Sequence, residues 1–107
     1  MSDSICEIGP REAPVAAEMF KALAHPLRLR IISLLSRGKM HVTGLAEQLE
    51  VSQAVVSQQL RVLRSSNLVA AETEGGHAYY RIIEPHLYDM LQCLGRCMAS
   101  RNERGVR

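Results

Sequence analysis

Leu45-Ala-Glu-Gln-Leu-Glu-Val-Ser-Gln-Ala-Val-Val-Ser-Gln-Gln-Leu-Arg-Val-Leu-Arg64 is the stretch on which the fold turns. Leu45, Ala46 and Leu49 lie on one side of a short helix that Thr43 is placed to cap. Glu50-Val51 is a brief link. Ser52 is a good N-cap for a second helix running to about Ser66. Two helices joined by about three residues make a helix-turn-helix. At roughly 100° per residue, Gln53, Ala54, Ser57, Gln58, Arg61 and Arg64 share one side of the second helix. Val55, Val56, Leu60, Val62 and Leu63 share the other, with only Gln59 intruding. One side suits a core. The other carries hydroxyls, amides and guanidinium groups, which suit a major groove: Gln pairs with adenine, Arg with guanine or phosphate, Ser with either. An ordinary amphipathic surface helix has the same periodicity. The absence of any acid from Val51 to Ala71 favours the polyanion.

Working outward, the period changes after Asn67. Leu68 to Glu74, then Gly75-Gly76, then His77 to Ile83 reads as a β-hairpin with a tight tip. Placed after a helix-turn-helix, it is a wing, and His77 and Arg81 are its candidate contacts to DNA backbone or minor groove. Upstream, Pro14 can open a first helix with Val15, Met19, Ala22 and Leu23 on one stripe. His25-Pro26 ends it and starts a second helix with Leu27, Ile31, Leu34 and Leu35 on its apolar face. Gly38 stops that helix. Downstream, Pro85 opens a final helix to about Arg101. The expected architecture is mainly α with a two-stranded β-hairpin wing, a winged helix-turn-helix over residues 14–101. Residues 1–13 and 102–107 read as polar tails.

The chain has 107 residues, room for one core. No apolar run reaches the roughly 18 residues of a membrane span, and the N-terminus lacks the apolar segment of a secretory signal. A cytoplasmic protein with reduced thiols is expected. There is no Gly-rich phosphate loop and no HExxH, which argues against an enzyme. The net charge is only +2, but it is unevenly spread. From Met19 to Ala46 stand Lys21, Arg28, Arg30, Arg37 and Lys39 with no acid, and Arg61 and Arg64 follow in the second acid-free stretch. A locally basic surface on a nearly neutral chain suits spaced phosphates. A winged-helix protein-interaction module is the remote alternative.

The sequence resembles the ArsR/SmtB family of small winged helix-turn-helix repressors. The resemblance rests on Leu23-Ala-His-Pro-Leu-Arg-Leu-Arg-Ile-Ile32, on Leu45 to Arg64 as quoted above, and on Leu68-Val69 with the Gly76-His-Ala-Tyr-Tyr-Arg81 wing. It implies a homodimer built on the first and last helices. It also implies binding to double-stranded operator DNA in the ligand-free state and release when an inducer binds. The family's DNA-contact positions fall here on Ser52, Gln53, Ser57, Gln58 and Arg61. One group in the family senses through paired cysteines in the third helix; Met40 to Leu45 holds none, so that site is absent. A second group binds zinc across the last helices. Those positions are Glu84, His86, Cys97 and Ser100, so Glu84 and His86 are retained as weaker metal candidates.

The last helix offers a different sensor. His86, Met90, Cys93 and Cys97 fall on one stripe, beside a second stripe of Leu87, Leu91, Leu94 and Met98. The leucine stripe is expected to pack on the protomer's own core, leaving the sulfur-rich stripe for the dimer seam. Cys93 and Cys97, one turn apart, set two thiols side by side. Two thiols chelate a soft ion and a third makes a trigonal site, which Cys6 could supply from the tail. Such a site suits As(III), and also Cd, Pb or Hg. Oxidation or persulfidation of the same cysteines is the alternative, and simple packing of the seam is another.

Overall fold

A computed structural model describes residues 7–105. Helix α1 spans Glu12–Leu23, α2 Pro26–Leu35, α3 Val42–Leu49, α4 Gln53–Ser65 and α5 His86–Glu103. Strand β1 is Met40–His41, β2 Val69–Glu74 and β3 His77–Ile82. The architecture is the expected winged helix-turn-helix, with one addition. The hairpin is joined by β1 into a three-stranded antiparallel sheet of order β1-β3-β2, with Met40 opposite Tyr80 and His41 opposite Tyr79. A two-residue strand has no periodicity to detect.

The turns follow from local chemistry. At the wing tip, Glu74 faces His77 across a two-residue loop. Gly75 and Gly76 have φ of 57° and 82°, so both central residues sit in the left-handed region that a type I′ hairpin turn needs. The α3–α4 turn passes through Glu50, itself left-handed at φ 59°. Ser52 Oγ then accepts the Val55 amide at 3.2 Å and starts α4, as expected.

The other helix starts differ from expectation. Thr43 does not cap α3. Its amide instead donates to His41 Nδ1 at 3.0 Å, so the cap lies two residues earlier and on an imidazole. His25 does the same for α2, accepting the Leu27 amide at 3.1 Å from an extended backbone that also suits the residue before Pro26. Both rings must carry their proton on Nε2 to accept at Nδ1. Helix α1 begins at Glu12, two residues before Pro14, with an acid in its first turn where the helix dipole favours one. Helix α5 runs on to Glu103.

The core is assembled from Ile31, Ile32 and Leu35 of α2, Leu45 and Leu49 of α3, and Val56, Leu60 and Leu63 of α4, closed by Leu68, Val69 and Ile82 of the wing. Each such side chain contributes roughly 1.5–3 kcal/mol on burial. The packing seats α4 with its polar side outward. Val55, counted with the apolar side, is 36% exposed.

Helix α5 departs furthest from expectation. Leu87 is its one buried residue among those described, and Met90 and Leu91 are half-buried. Leu94 and Met98, assigned to the protomer's own core, are 40% and 53% exposed. The helix leaves the core after two turns, so both its stripes remain open.

Loss of either imidazole cap, His25→Ala or His41→Ala, is expected to lower stability by about 1 kcal/mol. Asn at either position should restore most of it. Urea unfolding of the four variants measures this.

Candidate nucleic-acid interface and thiol pair

The outer side of α4 is built as the periodicity requires. Gln53, Ala54, Gln58, Arg61 and Arg64 are exposed, and Ser57 is half-buried. Among the described residues neither Arg61 nor Arg64 is held in an ion pair, and no acid lies on this helix. Ser52 is also exposed, but its hydroxyl is committed to the α4 cap.

Gln59, the polar intruder on the apolar side, has a partner that sequence reasoning missed. Its Oε1 accepts from Arg28 at 2.7 Å. The same guanidinium donates from Nε to the Ala22 carbonyl at 2.6 Å and more distantly to the Lys21 carbonyl at 3.4 Å. Arg28 thereby satisfies open carbonyls at the end of α1 while holding α4. It belongs to the scaffold rather than to a phosphate-facing surface. The one available signal was a lone amide on an otherwise apolar face.

The wing's charges are likewise used internally. Arg81 Nε donates to Glu72 Oε2 at 2.6 Å. Lys39 Nζ reaches Glu74 at 2.7 Å and Glu72 at 3.6 Å, and lies 5.6 Å from the Tyr79 ring centre. His77 packs edge-on to His41, with ring centres 5.1 Å apart, and His41 packs in turn on Tyr79 at 5.5 Å. His77 and Arg81 thus stand on the wing as expected, but each is engaged with a neighbour. Arg81's hydrogen bond, followed by its charge and that of Lys39, holds the Glu72 carboxyl below its ordinary value of 4.5. The hydrogen bond that Lys39 donates to Glu74, aided by both carboxylates' charge, raises the Lys39 ammonium above its ordinary value.

Glu84 and His86, the weaker metal candidates, contact each other. His86 Nδ1 lies 2.8 Å from Glu84 Oε2, and the His86 amide donates to the same oxygen at 3.1 Å. These bonds lower the Glu84 carboxyl, the side-chain one most, and place an anion at the start of α5. Among the described residues no group of three His, Cys, Asp or Glu is arranged to hold a metal ion. Cys6 lies outside the described residues.

Cys93 and Cys97 are free thiols on α5. Both line an open cavity of about 520 Å³ between α1 and α5, with Phe20, Leu23, Ala24 and Ile32 on the opposite walls. The wall is carbon and sulfur, with no charged or amide side chain among its lining residues. His86, expected on the same stripe as the thiols, does not line it.

The fold and the outward side of α4 define a winged helix-turn-helix regulatory protein, a class of transcriptional regulators and not of enzymes. The chain belongs to the ArsR family: residues 25–71 match the model of that family of bacterial regulatory proteins. It is 42% identical over 79 residues to a transcriptional repressor SmtB homolog of Synechocystis, covering 74% of this chain and 60% of that one. Among solved structures, the AntR antimony-specific transcriptional repressor is 33% identical with a TM-score of 0.79, covering 95% of this chain and 92% of that one. The homodimeric winged helix-turn-helix DNA-binding domain Mb0332 of Mycobacterium bovis is 28% identical with a TM-score of 0.74, covering 97% and 95%. No helix among the described residues is long and apolar enough to cross a membrane.

The Arg81–Glu72 part of the wing network contributes only while Glu72 is ionised. It is therefore complete above the ordinary glutamate value and is lost as pH falls through the depressed one. An NMR titration of the Glu72 carboxyl carbon should give a midpoint below 4.5, returning toward it in Arg81→Gln.

Proposed function

We propose that this chain is a homodimeric, sequence-specific DNA-binding repressor whose operator is released when a thiophilic species, trivalent arsenic foremost, is taken up by Cys93 and Cys97. The DNA reading is carried by the exposed, acid-free side of α4. Gln53, Ser57, Gln58 and Arg61 read base edges there, while Arg64 and the capped start at Ser52 meet the phosphate backbone. His77 and Arg81 of the wing take a secondary part, since both are already engaged within the wing.

The dimer reading rests on the open face of α1 and α5. Phe20, Leu94 and Met98 are between 40% and 60% exposed there. Exposed large apolar side chains of this kind mark an interaction surface, and the Mycobacterium relative is homodimeric by its description. Twofold pairing through α1 and α5 would set two copies of α4 into successive major grooves about 34–36 Å apart.

The inducer reading rests on the position of the thiols at that same face. A ligand bound by Cys93 and Cys97 alters the seam, and with it the separation of the two α4 helices. A coupling of about 3 kcal/mol lowers operator affinity by roughly two orders of magnitude. AntR is antimony-specific by its description, and antimony has the same trivalent, thiophilic chemistry as arsenic. Cd and Pb share the thiol preference but favour more ligands than α5 provides, with Glu84 and His86 tied to each other; Hg, satisfied by two thiols, is a second candidate inducer. Persulfidation or oxidation of the pair is the competing reading.

Selection from a random duplex library, followed by fluorescence anisotropy, tests the DNA reading. The expected operator is palindromic and binding weakens steeply with salt. Gln53→Ala should lose discrimination against a mismatched operator by about 1–3 kcal/mol, with little change in non-specific affinity. Cys93→Ser and Cys97→Ser should bind the operator normally and fail to release it on arsenite. Failure to select any sequence, or normal release by both variants, would overturn the respective half of the reading.

A further inference from the structure

Helix α4 is attached to the other helices mostly through carbon. Val56, Leu60 and Leu63 are buried against the core, and such packing is non-directional: it resists separation but selects no particular rotation. Among the described residues one side-chain hydrogen bond joins α4 to another helix, from Arg28 Nη1 to Gln59 Oε1 at 2.7 Å. We infer that Arg28 and Gln59 are positioning residues for operator reading. Their bond fixes the roll of α4 against the end of α1, and through it the register of the two half-sites that a dimer reads, while neither residue touches DNA. The inference rests on the DNA and dimer readings above and adds two residues to them.

The guanidinium is not free to follow α4. Its Nε donates to the Ala22 carbonyl at 2.6 Å and its Nη2 to the Lys21 carbonyl at 3.4 Å. Both carbonyls belong to the last turn of α1, so the plane of the fork is set by backbone rather than by another mobile side chain. Arg28 and Gln59 are each half-buried, which strengthens the bond between them relative to one in open water.

Gln59 is placed to govern what the front of α4 presents. At about 100° per residue it lies roughly 180° from the line midway between Ser57 and Arg61. The helix surface stands about 5–6 Å from the axis, so a roll of about 20° carries the front by about 2 Å. Hydrogen-bond distances span only about 0.5 Å, and contacts to base edges do not survive such a roll. With α1 at the dimer seam, the roll of each α4 is set relative to the twofold axis. The two reading helices then match one spacing of half-sites. A bond that only stabilised the fold would leave the choice between duplexes unchanged.

Gln59→Met keeps the length and helix preference of the side chain and removes the acceptor, while both carbonyl bonds of Arg28 stay in place. Gln59→Glu supplies an acceptor at the same position. Fluorescence anisotropy on the full chain compares three duplexes: the selected operator, the same operator with one base pair inserted between its half-sites, and an unrelated sequence. The wild-type protein should reject the inserted operator, whose half-sites are displaced by about 34° and about 3.4 Å. Gln59→Met should lose about tenfold in preference for the operator over the inserted one, the scale of one base-edge pairing, with unchanged affinity and salt slope on the unrelated duplex. Gln59→Glu should recover most of that preference. Arg28→Lys, which cannot fork, should resemble Gln59→Met, and combining the two should add little. Native-like circular dichroism at the assay temperature controls for folding. A Gln59→Met protein with wild-type preference, an equal loss on operator and unrelated duplex, or no recovery in Gln59→Glu would overturn the inference. A wild-type protein that selects no palindrome, or that binds the inserted operator equally well, would instead overturn the DNA or dimer reading beneath it.

Discussion

One guanidinium holds three helices in register. Arg28 stands on α2, donates to the last carbonyls of α1 and grips Gln59 of α4. Hydrogen bonds with a charged donor are worth about 1.5–3 kcal/mol each, well above neutral ones. Leucine packing resists separation of helices but tolerates sliding. A planar fork with partners on two other helices fixes their relative rotation. The end of α1 borders the thiol cavity, and Gln59 lies on the helix that presents Gln53, Gln58 and Arg61. The end of α1 thus stands between the cavity that Cys93 and Cys97 line and the helix with the outward polar side.

The opposite end of the molecule is organised differently. Helix α5 has eighteen residues and buries one of them. Tertiary packing is the main source of helix stability in proteins, and beyond Leu91 this helix has little of it within the protomer. The fold thus contrasts a tightly packed reading unit, α2 to β3, with a loosely attached helix carrying both thiols. The outward side of α4 is backed by the core, while most of α5 is left uncovered within the protomer.

What was legible in the sequence was what neighbouring residues decide. Ser52 caps α4, Gly75-Gly76 turns the wing, and His25-Pro26 breaks α1 from α2, because each is fixed within a few residues of chain. The helical period also sorted α4 into its two sides. What was not legible depends on residues far apart. Arg28 and Gln59 are thirty-one positions apart, and Lys39 and Glu74 thirty-five. Nothing local distinguishes these bases from ones that face solvent, so the sequence alone counts Arg28 and Lys39 with a basic surface and Arg81 with the wing's contacts to DNA. Periodicity placed Leu94 and Met98 on a stripe of α5 but could not say where the core ends beneath it. The cap on α3 lies two residues early for a related reason: His41 is a less usual cap than Thr43, yet β1 pairing holds it in the extended conformation a cap needs.

The wing's ion network has a consequence for its behaviour beside a polyanion. Lys39 and Arg81 are matched by Glu72 and Glu74, so this cluster presents no net charge. A duplex approaching it would find few mobile anions to shed from the protein and no uncompensated cation to exchange for its own condensed counterions. The wing is thus an ionic spectator. Any displacement of a duplex's salt atmosphere would have to come from cations elsewhere, the exposed Arg61 and Arg64 of α4 among them.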